Sequence, residues 1–291
     1  MKNIYNQEEF LAFCLNPFQP RKIGYFRPQM IKAKKSLGQN FLVDKAALER
    51  IAQAPKIQEG EHIIEIGPGT GLLTKQLLLS PLESLLAYEV DDRAIEVLKT
   101  EIADERFVLE HQDFLETDLS KHNDVRIVGN IPYYITSPII FKLIDDRTHI
   151  RDAHLLMQLE VAERLSASPR SKAYGIPTVL TNFFGEVTFL FKVMAGSFRP
   201  APKVDSALVK IDFTRGYFTR EGLTAPQGFD ENAFRKLVRT AFAMRRKTLR
   251  NNLKTYATEA QLHEPALAPF LGRRAEELSI AEFIELYRIL H

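Results

Sequence analysis

Within five residues, the segment Asn130-Ile-Pro-Tyr-Tyr134 carries the groups needed to activate a weak amine on a heteroaromatic base. Such an amine is a poor nucleophile because its lone pair is delocalised into the ring, and acceptors for its two N–H groups localise that pair. The Asn130 side-chain oxygen is one acceptor, and the backbone carbonyl of Ile131 or Pro132 is the other, with the proline ring restricting the chain. Tyr133 then offers a stacking face to a base taken out of its helix. A proline turn beside a core tyrosine explains any one of these residues but not the set.

Three further positions suit an adenosine-like ligand. Glu65-Ile-Gly-Pro-Gly-Thr-Gly71 places Gly67, Gly69 and Gly71 where an apolar run gives way to a helical pattern, so a ligand could approach the backbone closely. The spacing is not the Gly-x-Gly-x-x-Gly of dinucleotide sites, and a purely structural turn also explains the glycines taken alone. Glu89, 18 residues beyond Gly71, can accept from both hydroxyls of a ribose. Asp113 in His111-Gln-Asp-Phe114 can accept from an exocyclic amine while Phe114 packs on the ring, or it can simply close a turn.

The elements that must hold these residues follow from periodicity. Asp44 caps a helix with Leu48, Ile51 and Ala52 on one face. His62–Ile66, Ser84–Glu89, Arg106–Glu110, Val125–Val128 and His154–Leu159 read as strands, with helices after Gly71 and over 92–103. This alternation predicts a mostly parallel sheet covered on both faces, and residues 67, 89, 113 and 130 then share its carboxyl edge, where open α/β sheets bind ligands. Beyond Gly216 the pattern becomes helical: Phe234, Val238, Ala241, Phe242, Leu249 and Leu253 recur at helical spacing, and 280–290 forms another amphipathic stretch. The expected domains are an N-terminal arm over 1–32, an α/β domain over 33–215 and a small all-α domain over 216–291.

Composition narrows the functional classes. The 291 residues, 45% hydrophobic and 26% charged, are those of a globular chain, and no apolar run approaches the roughly 18 residues of a membrane span. Cys14 is the single cysteine, so an internal disulfide and a cysteine-based zinc site are excluded, and an intracellular protein is expected. The net charge of +2 conceals segregation: 36–163 sums to −11, whereas 235–254 carries eight basic residues and no acid. Such a run can be a solvated helix face, but eight uncompensated charges point to phosphates and so to nucleic acid.

The chain resembles the small-subunit ribosomal RNA adenine dimethyltransferases, which use S-adenosylmethionine. The resemblance is carried by Lys35-Ser-Leu-Gly-Gln-Asn-Phe-Leu42, Glu65–Thr74, Asn130–Tyr133, Ser171-Lys-Ala-Tyr-Gly175, Ser197-Phe-Arg-Pro-Ala-Pro-Lys-Val-Asp-Ser206 and Phe242–Asn251, and it runs from about residue 33 to the C-terminus. It implies a Rossmann-like, seven-stranded class I methyltransferase sheet followed by a helical domain. It also implies that Asn40, Leu42, Gly67, Glu89, Asp113 and Asn130 bind the cofactor. Asn130, Pro132, Tyr133 and Phe198 would act at the target base, Phe198 as a second aromatic face. The implied activity is dimethylation of two adjacent adenosines in a 3′-terminal hairpin of 16S ribosomal RNA, by a cytoplasmic monomer that needs no metal and has a role in small-subunit biogenesis. Arg245, Arg246, Lys247 and Arg250, with Arg170 and Lys172, are then expected to hold RNA phosphates. Tyr134 stands where the family commonly has asparagine, and Leu159 where it usually has lysine. The competing readings are a large-subunit adenine methyltransferase of the resistance type and a non-catalytic RNA-binding assembly factor.

Overall fold

A computed structural model describes residues 31–34 and 37–291. The N-terminal arm up to Met30, Cys14 with it, and the first two residues of the Lys35 motif lie outside the described residues. Seven strands form one sheet: β2 (His62–Ile66), β3 (Ser84–Glu89), β4 (Phe107–His111), β5 (Val125–Asn130), β6 (Ile150–Gln158), β7 (Glu186–Val193) and β9 (Ser206–Asp212). Their order is β4-β3-β2-β5-β6-β9-β7, and the short β1 (Phe41–Leu42) pairs antiparallel with β8 (Phe198–Arg199) outside that sheet. From β2 the chain builds outward to β4 and then returns to lay β5 on the other side of β2, which creates a switch point at the carboxyl ends of β2 and β5. Only β9 runs against its neighbours, β6 and β7.

Alternation along the strands sorts the core into two layers. Ile64, Ile66, Ile127, Leu155 and Met157 face one side. Ile63, Leu85, Val128 and Leu156 face the other, beneath α1 (Lys45–Gln53) and α2 (Leu72–Leu77). The Asp44 side chain caps α1 by accepting from Ala47 N–H, and Leu48, Ile51 and Ala52 are buried as their spacing predicts. The helix α3 (Asp92–Glu101) meets the glycine turn through Leu98: a Cβ on Gly71 would come within 2.9 Å of Leu98 Cδ2.

The first layer continues without a break into the C-terminal helices. It is covered by α4 (Thr136–Asp145), α5 (Leu159–Leu165) and α6 (Ile176–Phe184), and the same core includes Phe234, Leu253, Phe283 and Leu286. After α7 (Tyr217–Arg220), the principal C-terminal helices are α8 (Glu231–Ala241) and α12 (Ile280–Leu290), with the short α9 (Leu249–Asn252), α10 (Glu259–Leu262) and α11 (Ala268–Leu271) between them. The helical spacing from Phe234 to Leu253 is interrupted at 242–248. Buried Asn252 stitches that break, donating to the Ala241 and Met244 carbonyls and accepting from Met244 N–H at 3.1 Å. The basic run therefore lies on a helix, a turn and a further short helix. Among the described residues no helix is long and apolar enough to cross a membrane.

Candidate active site

A cavity of about 230 Å³ opens at the switch point. Its walls include Asn40, Leu42, Gly67, Glu89, Asp113, Asn130, Pro132 and Tyr133, so eight of the nine positions expected at the cofactor or target base are gathered in one place. The ninth, Phe198, is not among them. Its backbone pairs with Leu42 across β1 and β8, and its ring is fully buried in the layer formed by Leu48, Leu156 and Leu208. The structure thus gives Phe198 a core position and no face toward the cavity.

The glycine turn is laced to the acid of the next strand. Gly67, Gly69 and Gly71 all have positive φ (64°, 57° and 75°), where a side chain would be strained. Gly67 N–H donates to the Tyr88 carbonyl at 3.0 Å, and Gly69 N–H donates to Glu89 Oε2 at 3.0 Å. The other Glu89 oxygen accepts from Val90 and Asp91 N–H at 2.8 and 2.9 Å, which fixes the carboxylate in place. A Cβ built on Gly67 meets nothing within 4 Å, so the space beside this cavity-lining glycine is open to a ligand. Asp113 Oδ1 caps a short turn by accepting from Leu115 N–H at 2.9 Å, and the residue lines the cavity beside Phe114.

On the opposite wall, Asn130 ends β5. Its Nδ2 donates to the Asn40 carbonyl at 3.2 Å, which commits the amide nitrogen to the protein and leaves Oδ1 as the acceptor. Ile131 N–H is held by the Leu156 carbonyl at 3.2 Å. The Pro132 carbonyl accepts from Ile135 N–H and the Thr136 hydroxyl, so of the two backbone acceptors considered, that of Ile131 is the better second acceptor. Tyr133 is half-buried, with its hydroxyl 2.8 Å from Ser206 Oγ, and burial raises its pKa. Tyr134 is 59% exposed and also lines the cavity. Leu159 opens α5, its N–H held by the Asp205 carbonyl.

Sequence reasoning passed over Glu65, which lines the same cavity. It is fully buried, burial pushes its carboxyl up to about 8, and the Glu89 charge adds to the shift. Oε2 has no hydrogen-bond partner, and the Thr74 hydroxyl stands beside it, favouring the charged form without hydrogen-bonding geometry. The signal was present in the sequence: a lone acid in His62-Ile-Ile-Glu-Ile66, on the face of Ile63, must sit between the sheet and its covering helices. Among the described residues no group of three His, Cys, Asp or Glu is gathered to hold a metal.

The six basic residues divide into two kinds. Arg170, Lys172 and Arg245 meet around Glu276: Arg245 Nε donates to Glu276 Oε2 at 3.0 Å, Arg245 also donates to the Lys172 carbonyl, and Arg170 N–H donates to the Glu276 carbonyl at 2.7 Å. That last bond holds Arg170 at a φ of 69°, a costly angle for a residue with a side chain. Arg246, Lys247 and Arg250 are exposed. Elsewhere in the run, Arg235 pairs with Asp145 and lies over Phe184, so its charge is internally compensated.

The sheet and cavity are those of an S-adenosylmethionine-dependent methyltransferase. The chain superposes on the crystal structure of a dimethyladenosine transferase from Plasmodium falciparum with a TM-score of 0.71 and 27% identity, covering 84% of this chain and 95% of that one. It superposes on a 23S rRNA methyltransferase, ErmE, with a TM-score of 0.64 and 26% identity, covering 86% and 99%. By sequence it is 44% identical over 260 residues to the ribosomal RNA small subunit methyltransferase A of Prosthecochloris aestuarii, covering 88% of this chain and 94% of that protein. The protein of the same name from Xanthomonas euvesicatoria is 41% identical over 262 residues, covering 88% and 96%. The family model for ribosomal RNA adenine dimethylases matches residues 30–291, and the chain belongs to that family.

Proposed function

We propose that this protein transfers methyl groups to the exocyclic amines of two adjacent adenosines in a 3′-terminal hairpin loop of small-subunit ribosomal RNA. The observation that carries the reading is the Asn130 amide, tied by its nitrogen to the Asn40 carbonyl so that its oxygen is the acceptor at the cavity. The relatives named above as small-subunit enzymes are 44% and 41% identical to this chain, against 26% for the 23S rRNA enzyme, which favours this substrate over the large-subunit alternative.

The residues present fit the cofactor. Glu89 is a fixed carboxylate suited to a ribose, the open space at Gly67 suits the amino-acid end, and Asp113 suits the adenine edge. Bound there, S-adenosylmethionine supplies an electrophilic methyl group. The protein contributes position and polarity. Asn130 Oδ1 and the Ile131 carbonyl accept the two N–H groups of the target amine and localise its lone pair, while the Tyr133 ring, anchored through Ser206, gives the base a face to stack on. The Asn130–Tyr134 segment holds no strong general base and needs none, because an alkylated amine is acidic enough to lose its proton to water.

The 242–251 segment and the 168–172 loop hold RNA through phosphates, and we assign the helices after residue 216 chiefly to that task. The action is cytoplasmic and belongs to small-subunit assembly. Incubation of unmethylated small subunits with labelled cofactor, followed by nucleoside mass spectrometry, tests the reading. Dimethyladenosine confined to small-subunit RNA is expected, and label confined to large-subunit RNA, or none, overturns it.

A further inference from the structure

The segment Leu37–Leu42 forms part of the cavity wall and is fastened at both ends of the site. On the Glu89 side the fastener is Gln39. Its Oε1 accepts from Lys34 N–H at 2.9 Å, and its Nε2 donates to Asp91 Oδ2 at 2.8 Å. Asp91 is built to hold it: its side chain is fully buried, Arg93 and Lys34 neutralise its charge, and its N–H donates to the Glu89 carboxylate at 2.9 Å. On the Asn130 side, Gly38 lies under the Tyr134 ring so closely that a Cβ would come within 2.9 Å of Cδ1. Asn40 follows directly on these two fastened residues, and its carbonyl holds the Asn130 amide.

We infer that Leu37–Leu42 is a positioning strap for the reacting amine, and that Asp91 and Gln39 are positioning residues that act through Asn40 to aim the Asn130 oxygen. The inference deepens the function proposed above and rests on it for the identity of the reaction. A carbonyl set by a fastened strap holds the Asn130 amide in the orientation that accepts from the target. A loose strap lets the amide turn its NH2 group inward, where it repels the amine's own donors. The consequence falls on the rate at saturating cofactor and RNA, since the Gln39 side-chain amide is engaged with Lys34 and Asp91 rather than with a substrate.

The test compares Gln39→Glu with Gln39→Lys. Glutamate has the size of glutamine and can still accept from Lys34 N–H, but it sets a like charge against Asp91. Lysine restores a donor to Asp91. Single-turnover methyl transfer to small subunits at saturating cofactor is expected to slow at least tenfold in Gln39→Glu and to return within threefold of wild type in Gln39→Lys. Gln39→Glu loses some stability to the like charge, so rates are compared well below its melting temperature, and RNA affinity should stay at the wild-type value in both. Equal rates in Gln39→Glu and wild type, or an equally slow Gln39→Lys, overturn the inference. Hydrogen exchange of the peptide 37–44 is read in parallel without substrate: faster exchange in Gln39→Glu, and not in Gln39→Lys, is expected. A wild-type protein inert on small subunits would defeat the functional reading instead. Unchanged exchange in Gln39→Glu then overturns the strap independently.

Discussion

Glu65→Gln isolates the cost of a carboxyl buried between the sheet and its covering helices. Burial holds the Glu65 carboxyl at about 8 against an ordinary 4.5, so between those pH values the folded protein keeps a proton that the unfolded chain has released. The unfolded state then binds fewer protons, and stability falls as pH rises through this window. At about 1.4 kcal/mol per pH unit the loss approaches 5 kcal/mol by pH 8, an upper figure because relaxation around the carboxylate lowers it. Glutamine has nearly the same shape and no proton to lose. Urea unfolding of both proteins at pH 5, 6, 7 and 8 measures the difference. His122, whose pKa burial lowers, titrates identically in both proteins and cancels. The wild type should lose at least about 3 kcal/mol relative to Glu65→Gln between pH 5 and pH 8, or roughly 10 °C in melting temperature for a chain of this size. Curves that stay parallel within about 1 kcal/mol would refute the claim that Glu65 is held neutral by burial.

Asn130→Ala should leave equilibrium binding of S-adenosylhomocysteine within about threefold of wild type by calorimetry while single-turnover transfer falls at least about 100-fold, because the lost acceptor matters most once the amine begins to react. For RNA, the pair Arg246→Ala and Lys247→Ala should weaken small-subunit binding and reduce the slope of log affinity against log salt by between about 1 and 2, as expected for two lost phosphate contacts. Arg245→Ala should instead remove the bridge from the Lys172 carbonyl to the Glu276 carboxylate and loosen the 168–172 loop beyond Arg170, which limited proteolysis of that loop would detect. Phe198→Ala should cost about 3–5 kcal/mol in urea unfolding, the cost of emptying a fully buried aromatic site. A loss below about 1 kcal/mol with a large drop in transfer rate would return Phe198 to the target pocket.

What was legible in the sequence depended on how local its cause was. β2 and β3 match their predicted limits because each is an apolar run closed by a glycine or an acid. The start of β6 was missed because Arg151 and Asp152 look like loop residues, yet Asp152 is buried against Arg126 and the strand carries both. The reversed direction of β9 has no signature in composition at all. Phe198 shows the same limit at a single residue: a phenylalanine among prolines suits a stacking platform, and only its pairing with Leu42 turns the ring into the core. The basic run from 235 to 254 read as one charged face, but acids from distant segments, Asp145 and Glu276, neutralise part of it. The cavity residues were legible because the topology of an open α/β sheet brings strand ends together wherever they fall in the chain. The orientation of the Asn130 amide was not, since it is set by a carbonyl 90 residues away.

The two edges of the sheet divide the work. At the amino edge, Arg126 joins β5 to Glu61 and to Asp152 of β6 at 2.9 and 2.7 Å, and Arg151 adds Glu61 and Asp124, so the strands are tied by buried or half-buried charge pairs on both sides of the switch point. Burial alone would neutralise Asp152, but the facing guanidinium and His154 hold its carboxyl well below the usual range. Removing either partner leaves an uncompensated buried charge, which makes this edge resistant to small shifts of register. Toward the carboxyl edge β2, β3 and β5 carry Glu65, Glu89 and Asn130, polar groups satisfied incompletely or by backbone alone, around open space. A reaction that needs no covalent intermediate gains chiefly from fixed geometry. A sheet locked at one edge keeps the strand ends at the other in register, so the ties at Arg126 fix where β5 delivers Asn130 beside the end of β2.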